Sequence, residues 1–275
     1  MHQRTLPHFP TLDTFLAYLK ERDELETIAA PVSMHLEVTE LHRRVILADG
    51  PALHFTGALD RDGNTARMPV VANLFGTARR VAWGLGTDVE GLEGLGEMLA
   101  FMRSPQPPRS LRQAHTMLPV ARGALRARPK KVASPWEWRE ADPDFSLLPV
   151  QTCWPGDAGP LITWPVVVTR PPGLDDLSAY NLGIYRMQVI GRDRAILRWL
   201  PMRGGAAHHR LWRERGEEMP VAVVIGADPA TLLGAVMPAP EGLSELALAG
   251  MIGDRRSARS GSRLRDHTAP CAGER

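Results

Sequence analysis

The first part of the chain alternates helical and strand-like patterns of apolar residues. Four apolar positions recur at helical spacing: Leu12, Phe15, Leu16 and Leu19. Thr11 precedes them and suits the role of N-cap, so the pattern predicts a helix that begins there. Residues 36–41 open a second amphipathic helix, which we expect to end near Gly50 and Pro51.

Two apolar runs rich in β-forming residues follow these helices. They are Ala52–Phe55 and residues 69–74, and a short helical stretch through Arg80 comes after the second run. Val, Leu and Phe fit a pleated, half-buried surface, which favours strands at both places. Helices mixed with strands predict an α/β domain.

The middle of the chain is predicted to be rich in strands. Residues 161–169 and 184–190 read as strands, and a turn at 191–194 leads to another strand at 195–200. This block suits a small barrel. A further strand at 221–225 then runs towards Asp228, which is placed to cap a helix that begins at Pro229.

Composition shifts suggest three regions. Residues 104–131 are rich in Pro and Arg and lose their periodicity, which indicates a linker or an irregular crossing. We therefore predict an α/β domain at 1–115 and a second domain at 116–252. From Gly253 onwards Arg residues alternate with Ser and Gly, so a disordered basic tail is expected at 253–275.

Composition and charge narrow the class of protein. The chain has 275 residues, 44% of them hydrophobic, and a formal net charge of +2. Its interleaved charges argue against nucleic acid as the main partner. Cys153 and Cys271 lie far apart and outside any CxxC pair, which favours a reducing cytoplasm. A secretory leader and a membrane-spanning segment are not expected from the apolar pattern.

The densest candidate site lies at residues 181–188. Asn181 and Arg186 bracket apolar residues and Gly183, and a basic, glycine-containing turn follows Arg198 and ends at 203–205. Arginine binds phosphate in a bidentate manner and glycine permits close backbone approach, so a planar cofactor with a phosphate tail would suit this mixture. Solvated surface arginines are the commoner alternative on composition alone.

Several segments occur in an order and spacing that resemble the UbiD family of carboxy-lyases. They are 37–40 (EVTE), 73–77 (NLFGT), 153–157 (CWPGD), 181–186 (NLGIYR), 190–192 (IGR), 198–200 (RWL), 203–205 (RGG), 226–230 (GADPA) and 243–245 (LSE). The resemblance covers roughly the first 250 residues. It implies an N-terminal α/β domain, then a split β-barrel flavin-binding domain of the flavin-reductase type, and a C-terminal α/β segment that this chain would lack.

The resemblance also implies the site residues. Asn181 and Glu245 resemble the ligands of a Mn²⁺-type ion, with K⁺ as a further candidate ion, whereas Glu245 taken alone reads as a carboxylate at a helix start after Ser244. Arg186 resembles the arginine that orients the substrate carboxylate. The residues that resemble the contacts of prenylated flavin mononucleotide (prenylated FMN) are Ile184, Tyr185, Arg186, Arg198, Trp199, Leu200, Arg203 and Gly204.

The implied activity is non-oxidative decarboxylation of an aromatic or unsaturated acid, above all 4-hydroxy-3-polyprenylbenzoate in ubiquinone biosynthesis. A flavin prenyltransferase would supply the cofactor, and the family implies a cytoplasmic homo-oligomer, with a peripheral membrane location as a variant. A proton-donating acid is expected beyond Glu245, where the chain offers only Asp254, Asp266 and Glu274, outside any family pattern. This suggests a truncation or a frameshift.

Two other functions stay open: an inactive fragment that binds flavin and metal, and a flavin reductase.

Two further sequence features are weaker indications of a functional site. His208 and His209 are adjacent and would point in different directions, so we expect a solvated turn rather than a metal pair. Cys153 is expected to be a packed thiol rather than a nucleophile, because no His lies near it in sequence.

Overall fold

A computed structural model describes residues 5–103, 130–132, 142–174, 176–239, 243–253 and 258–260. The helices in these ranges are α1 (Leu12–Lys20), α2 (Glu37–Leu47), α3 (Ala78–Gly84), α4 (Gly91–Arg103), α5 (Gly204–Glu214), α6 (Pro229–Gly234) and α7 (Glu245–Ile252), with short 3₁₀ turns at Phe145–Leu147 and Leu177–Ala179. The strands are β1 (Leu25–Ile28), β2 (Val32–Ser33), β3 (Ala52–Phe55), β4 (Ala58–Leu59), β5 (Val70–Ala72), β6 (Lys130–Val132), β7 (Leu161–Ile162), β8 (Val166–Thr169), β9 (Asn181–Ile184), β10 (Met187–Val189), β11 (Ala195–Leu197), β12 (Ala222–Val224) and β13 (Ala258–Ser260).

Helix α1 forms where the apolar spacing predicts it. The Thr11 hydroxyl accepts from the backbone N–H of Thr14 at 3.2 Å, and the Thr14 hydroxyl in turn accepts from the Thr11 N–H, which makes a capping box. Phe15 and Leu19 have no exposed surface. The cap therefore starts the helix at the turn that directs these side chains into the core.

The N-terminal region contains a mixed sheet in the order β1–β3–β5. Strands β1 and β3 are parallel, and β3 and β5 are antiparallel. The predicted strands at 52–55 and 69–74 are confirmed, the second in shorter form, whereas β1 was not predicted. Val38 of α2 packs with Leu53 and Phe55 in one cluster, which covers one face of this sheet.

The strands of the second region form two three-stranded antiparallel sheets, in the orders β12–β8–β9 and β11–β10–β7. The predicted continuous strand at 161–169 is interrupted after Ile162, and its two parts belong to different sheets. Pro165 lies in the interruption, where its missing N–H cannot contribute to a ladder. Among the described residues the architecture is mixed α/β with small sheets that do not close into a barrel, and the expected split barrel is not confirmed.

The two regions share their hydrophobic cores. One cluster joins Phe15 and Leu19 of α1 to Val166 of β8 and Leu182 of β9. A second cluster joins helices α3 and α4 to α6 and α7, where Leu248 and Ile252 are fully buried. The predicted domains are therefore packed against each other over apolar surface from both.

A buried ion pair ties α3 to the connection between α1 and β1. Arg80 has no exposed surface, and its Nη1 donates to Glu24 Oε2 at 2.6 Å. Arg80 also donates to the carbonyl oxygens of Leu74 (3.2 Å) and Asn73 (3.1 Å), while Arg79 pairs with the other oxygen of Glu24. Burial lowers the pKa of Arg80. Arg80 thus holds residues 73–77 (NLFGT) through their carbonyl oxygens, and Glu24 neutralises its charge.

The predicted boundary between residues 115 and 116 lies outside the described residues and stays a prediction. The expected disordered tail at 253–275 likewise stays a prediction, and the structure describes only two short parts of it. Gly253 ends α7 as its C-cap, and β13 pairs with β6 in parallel register. The remaining residues of 253–275, including the acid candidates Asp254, Asp266 and Glu274, lie outside the described ranges.

Throughout the described part of the chain, the helices are too short or too polar to cross a membrane.

Candidate cofactor and metal site

The centre of the candidate site is a corner between two sheets. Strand β9 ends at Ile184 and β10 begins at Met187, so Tyr185 and Arg186 lie between the sheets rather than within one strand. The predicted continuous strand at 184–190 is therefore interrupted at Tyr185 and Arg186. The Tyr185 side chain is buried, whereas Arg186 is exposed. The corner turns the guanidinium outwards from the packed sheets.

Tyr185 is fixed by contacts from two other elements. Its hydroxyl accepts from the backbone N–H of Gly205 at 3.1 Å, and its ring packs edge-on against Trp199 with centroids 5.0 Å apart. Trp199 follows β11, which the predicted turn at 191–194 connects to β10. Arg198 and Leu200, on either side of Trp199, are exposed. Because Trp199 packs on Tyr185, the exposed side chains of Arg198 and Leu200 lie near the corner formed by Tyr185 and Arg186.

Helix α5 begins directly after this segment. The sequence predicted a flexible basic turn at 201–205, but Arg203 is the N-cap of the helix and Gly204 is its first residue. Arg203 makes no side-chain capping hydrogen bond. The N-terminus of α5 therefore presents backbone N–H groups and a positive dipole end, which favour an anion such as phosphate.

Asn181 and Glu245 are brought together although they are far apart in sequence. Glu245 is the first residue of α7, and the Ser244 hydroxyl caps that helix by accepting from Ala247 N–H at 3.2 Å. The Glu245 Oε2 atom accepts from the backbone N–H of Leu182, the residue after Asn181, at 3.1 Å. Burial raises the pKa of Glu245. A nearby cation would offset that desolvation and favour the carboxylate.

Asn181 shows an unmet hydrogen-bonding capacity. Within the described residues its Nδ2 atom is buried and has no hydrogen-bond partner. Its Oδ1 atom packs so closely on Gly204 that a Cβ atom at that position would overlap it. Buried polar groups are normally paired, so an orphaned amide between a carboxylate and a helix start fits a ligand-binding position.

The residues present fit both groups that the resemblance implies. An amide that presents its oxygen after rotation, together with a carboxylate, gives the oxygen donors that a hard divalent ion prefers. No cluster of three or more His, Cys, Asp or Glu side chains with metal-binding geometry occurs among the described residues, so the ion would depend on this pair and on ligand oxygens. Arginines, an aromatic pair and a helix N-terminus suit a flavin phosphate and ring.

Family models match two stretches that cover most of the chain. Residues 16–99 match the 3-octaprenyl-4-hydroxybenzoate carboxy-lyase N-terminal domain, and residues 126–274 match the Rift-related domain of the same carboxy-lyase. The chain belongs to the UbiD family. The second match extends beyond residue 253, where the sequence pattern was expected to leave the family.

Solved structures of UbiD-class proteins share this fold. Vanillic acid decarboxylase from Sedimentibacter hydroxybenzoicus superimposes with a TM-score of 0.75 at 23% identity, over 95% of this chain and 52% of that one. HmfF from Pelotomaculum thermopropionicum, solved with FMN, gives 0.72 at 24% identity, over 93% and 51%. The 3,4-dihydroxybenzoic acid decarboxylase of Klebsiella pneumoniae gives 0.68 at 21%, over 91% and 50%. The chain thus spans about half the length of these UbiD relatives.

The UbiD fold also brings residues together that the sequence did not connect. The Cys153 thiol is half-buried and hydrogen-bonds the side chain of Thr39 in α2, and Asp157 Oδ2 accepts from the backbone N–H groups of Cys153 (3.2 Å) and Trp154 (2.9 Å). Burial raises the pKa of the Cys153 thiol, and the nearby Arg186 charge partly opposes this. Cys153 therefore lies near Arg186 at the corner, and Thr39 of the N-terminal region contacts it there.

The expectation of a solvated turn at His208 and His209 is wrong. Both residues lie in α5, and both are half-buried. His208 Nδ1 hydrogen-bonds Thr169 Oγ1 at 3.0 Å, and the His209 ring stacks on Trp199 with centroids 6.1 Å apart. The good helix formers that follow the two glycines, among them Ala206, Ala207 and Leu211, are the signal that would have predicted this helix.

Proposed function

We propose that this UbiD-family chain is a prenylated-FMN-dependent decarboxylase that removes CO₂ from an aromatic or α,β-unsaturated carboxylic acid without net oxidation. The observation that carries the proposal is the hydrogen bond from Leu182 N–H to Glu245 Oε2. It holds a half-buried carboxylate beside the orphaned Asn181 amide. This pair supports the proposed Mn²⁺ site, and a K⁺ site elsewhere remains part of the proposal.

The cofactor would lie over the corner and the start of α5. In this proposal Arg198, Arg203 and the Gly204 backbone bind the phosphate. Ile184, Tyr185, Trp199 and Leu200 provide apolar contacts for the ring, in line with their positions around the corner. Bound there, prenylated FMN would supply the acceptor for the electrons that remain when CO₂ leaves. HmfF, which shares the fold, has been solved with FMN and with prenylated FMN.

Arg186 is the proposed catalytic residue. Its exposed guanidinium, on the two-residue link between sheets, can form two parallel hydrogen bonds to the substrate carboxylate. The buried Tyr185 next to it limits the freedom of the backbone there. A fixed cation orients the scissile bond before reaction and lowers the entropic part of the barrier.

For the substrate we propose an aromatic hydroxy acid, with 4-hydroxy-3-polyprenylbenzoate of ubiquinone biosynthesis as the specific candidate. Two relatives with the same fold are named as decarboxylases of vanillic and 3,4-dihydroxybenzoic acid, and the matching family models are those of the octaprenyl-hydroxybenzoate enzyme. Such a lipid-tailed substrate would suit a cytoplasmic enzyme that works at a membrane surface. Its flavin would come from a flavin prenyltransferase in the same cell.

We also propose that the two small sheets are parts of a split barrel and that the protein is a homo-oligomer. The chain passes directly from one sheet to the other after Ile162 and after Ile184, and it returns a third time through α5, from β11 to β12. Strands that switch sheets at corners are a feature of such orthogonal packing, which supports the barrel. A dimeric form of HmfF has been solved, which supports the assembly.

The test is to co-express the chain with a flavin prenyltransferase, purify it with Mn²⁺, and measure the bound-flavin spectrum together with CO₂ release from a panel of aromatic acids. The matched pair of variants is Arg186→Ala and Arg194→Ala, because Arg194 is an exposed arginine of the neighbouring hairpin turn. We expect release that Arg186→Ala abolishes and Arg194→Ala leaves intact.

The alternatives give different results in the same experiment. Bound flavin without CO₂ release from any acid would favour a protein that only binds flavin and metal. Reduction of free flavin by a nicotinamide cofactor would favour a flavin reductase. Release that persists in Arg186→Ala would refute the assigned role of that residue, and a folded protein without flavin would refute the site.

A further inference from the structure

Helix α5 is anchored on the end of β8 and on the residue after it by two polar contacts. His208 Nδ1 lies 3.0 Å from Thr169 Oγ1, and the Trp212 indole N–H donates to the Arg170 carbonyl oxygen at 2.8 Å. His208 and Trp212 are four residues apart and so lie on one face of the helix. The two contacts are successive along the same interface, one turn of helix apart.

The His208–Thr169 contact, which is the nearer of the two to the start of α5, lies next to Asn181, the proposed metal ligand. Thr169 is directly opposite Asn181 in the antiparallel register of β8 and β9, so their side chains share a face of the sheet. Gly204, one turn before His208, packs against Asn181 Oδ1. The first two turns of α5 therefore cover two neighbouring side chains of the sheet, Asn181 and Thr169.

We propose that His208 is a positioning residue for the metal site: its hydrogen bond to Thr169 sets the height of α5 over β9 and thereby holds the Asn181 side chain in the position from which its amide oxygen binds the ion. The inference rests on the proposed function, because it takes Asn181 and Glu245 as the ligands. It assigns no contact between His208 and the ion itself.

The environment of the pair supports this role. Thr169 is 1% exposed, so its hydroxyl has no access to bulk water as an alternative partner. Burial lowers the pKa of His208, which favours the neutral imidazole at neutral pH. On the other side Gly204 leaves no room for Asn181 to move towards the helix. A shift of α5 would therefore change the position of the amide directly.

The experiment measures Mn²⁺ affinity by electron paramagnetic resonance in the presence of FMN, with thermal unfolding recorded for every variant. His208→Leu removes the hydrogen bond, and Thr169→Val removes it from the other side at nearly constant volume. His208→Asn keeps a polar atom at the δ position. Trp212→Phe is the matched control, because it removes the second α5 hydrogen bond and leaves the His208 contact in place.

We expect His208→Leu and Thr169→Val to weaken Mn²⁺ binding about 10-fold or more, as is usual for groups that orient a metal ligand. His208→Asn should recover affinity to within about threefold of the wild type, and Trp212→Phe should bind as the wild type does. If His208→Leu fails to fold, the nearly isosteric Thr169→Val decides the question.

Equal Mn²⁺ affinity in the wild type and Thr169→Val would overturn this inference and leave the proposed function standing. Weakening of the same size in Trp212→Phe would also overturn it, since general anchoring of the helix would then explain the loss. The proposed function itself fails, and the inference with it, if wild-type protein binds no Mn²⁺ with FMN or if Asn181→Ala and Glu245→Gln bind it unchanged.

Discussion

Arg80 Nη1 donates to Glu24 Oε2 at 2.6 Å, in a place where the arginine has no contact with solvent. A buried charge whose partner is removed keeps its desolvation cost and loses the compensating attraction. Loss of one partner is therefore expected to destabilise the protein by more than the intact pair stabilises it.

We predict that Glu24→Gln lowers the free energy of unfolding by about 3 kcal/mol, because it leaves Arg80 charged and uncompensated. Denaturant unfolding followed by circular dichroism measures the change. Glu21→Gln is the control, since Glu21 is exposed and pairs with Arg22 at 3.5 Å; we expect it to change stability by less than about 0.5 kcal/mol. Similar effects of the two substitutions would contradict the role of the buried pair.

The close packing of Gly204 on Asn181 gives a second prediction. Gly204→Ala should weaken Mn²⁺ binding, because the new Cβ atom displaces the Asn181 amide. Gly96→Ala in α4 is the control, since its Cβ would have nothing within 4 Å; we expect it to leave metal binding alone and to stabilise the helix by about 0.5–1 kcal/mol. Titration calorimetry with Mn²⁺ and FMN measures the first effect. Unchanged affinity in Gly204→Ala would show that the amide is not a ligand.

The Cys153 thiol provides a pH-dependent prediction. Burial raises its pKa, so the reactive thiolate is scarce at neutral pH and alkylation by iodoacetamide should accelerate only as the pH rises above the ordinary thiol range. The Arg186 charge opposes this shift, so Arg186→Gln should move the alkylation profile to still higher pH. Rates are measured by mass spectrometry in a Cys271→Ser background. A profile that does not move would place Arg186 too far from Cys153 to act on it.

Local signals predicted the elements that depend on local chemistry. The Thr11 cap and the Asp228–Pro229 start of α6 were found in the sequence because the capping side chain lies within three residues of the N–H that it accepts from, Thr14 and Thr231 respectively. Helix α5 was missed because its first residues are two glycines and Arg203 provides no side-chain cap. Glycines are poor helix formers, so the segment reads as a turn until the spacing of later residues is considered.

The geometry of the site depends on tertiary contacts that no local sequence pattern predicts. The resemblance to a family named Asn181 and Glu245, but the hydrogen bond from Leu182 that joins their surroundings is a tertiary contact. The break in the strand at Tyr185 and Arg186 could not be read from the sequence either, since every residue from Asn181 to Gln188 is compatible with a strand. Which sheet each part joins is decided by packing partners far along the chain.

The core shared by the two regions bears on how the protein is made. Phe15 and Leu19 emerge from the ribosome early, yet the cluster that buries them includes Val166, Leu182 and Leu232. Until those residues have been synthesised, the apolar face of α1 has no complete partner and is available for aggregation or for chaperone binding. Nascent chains released before Leu232 should therefore be captured by holdase chaperones, and slow translation of the second region would lengthen that exposure.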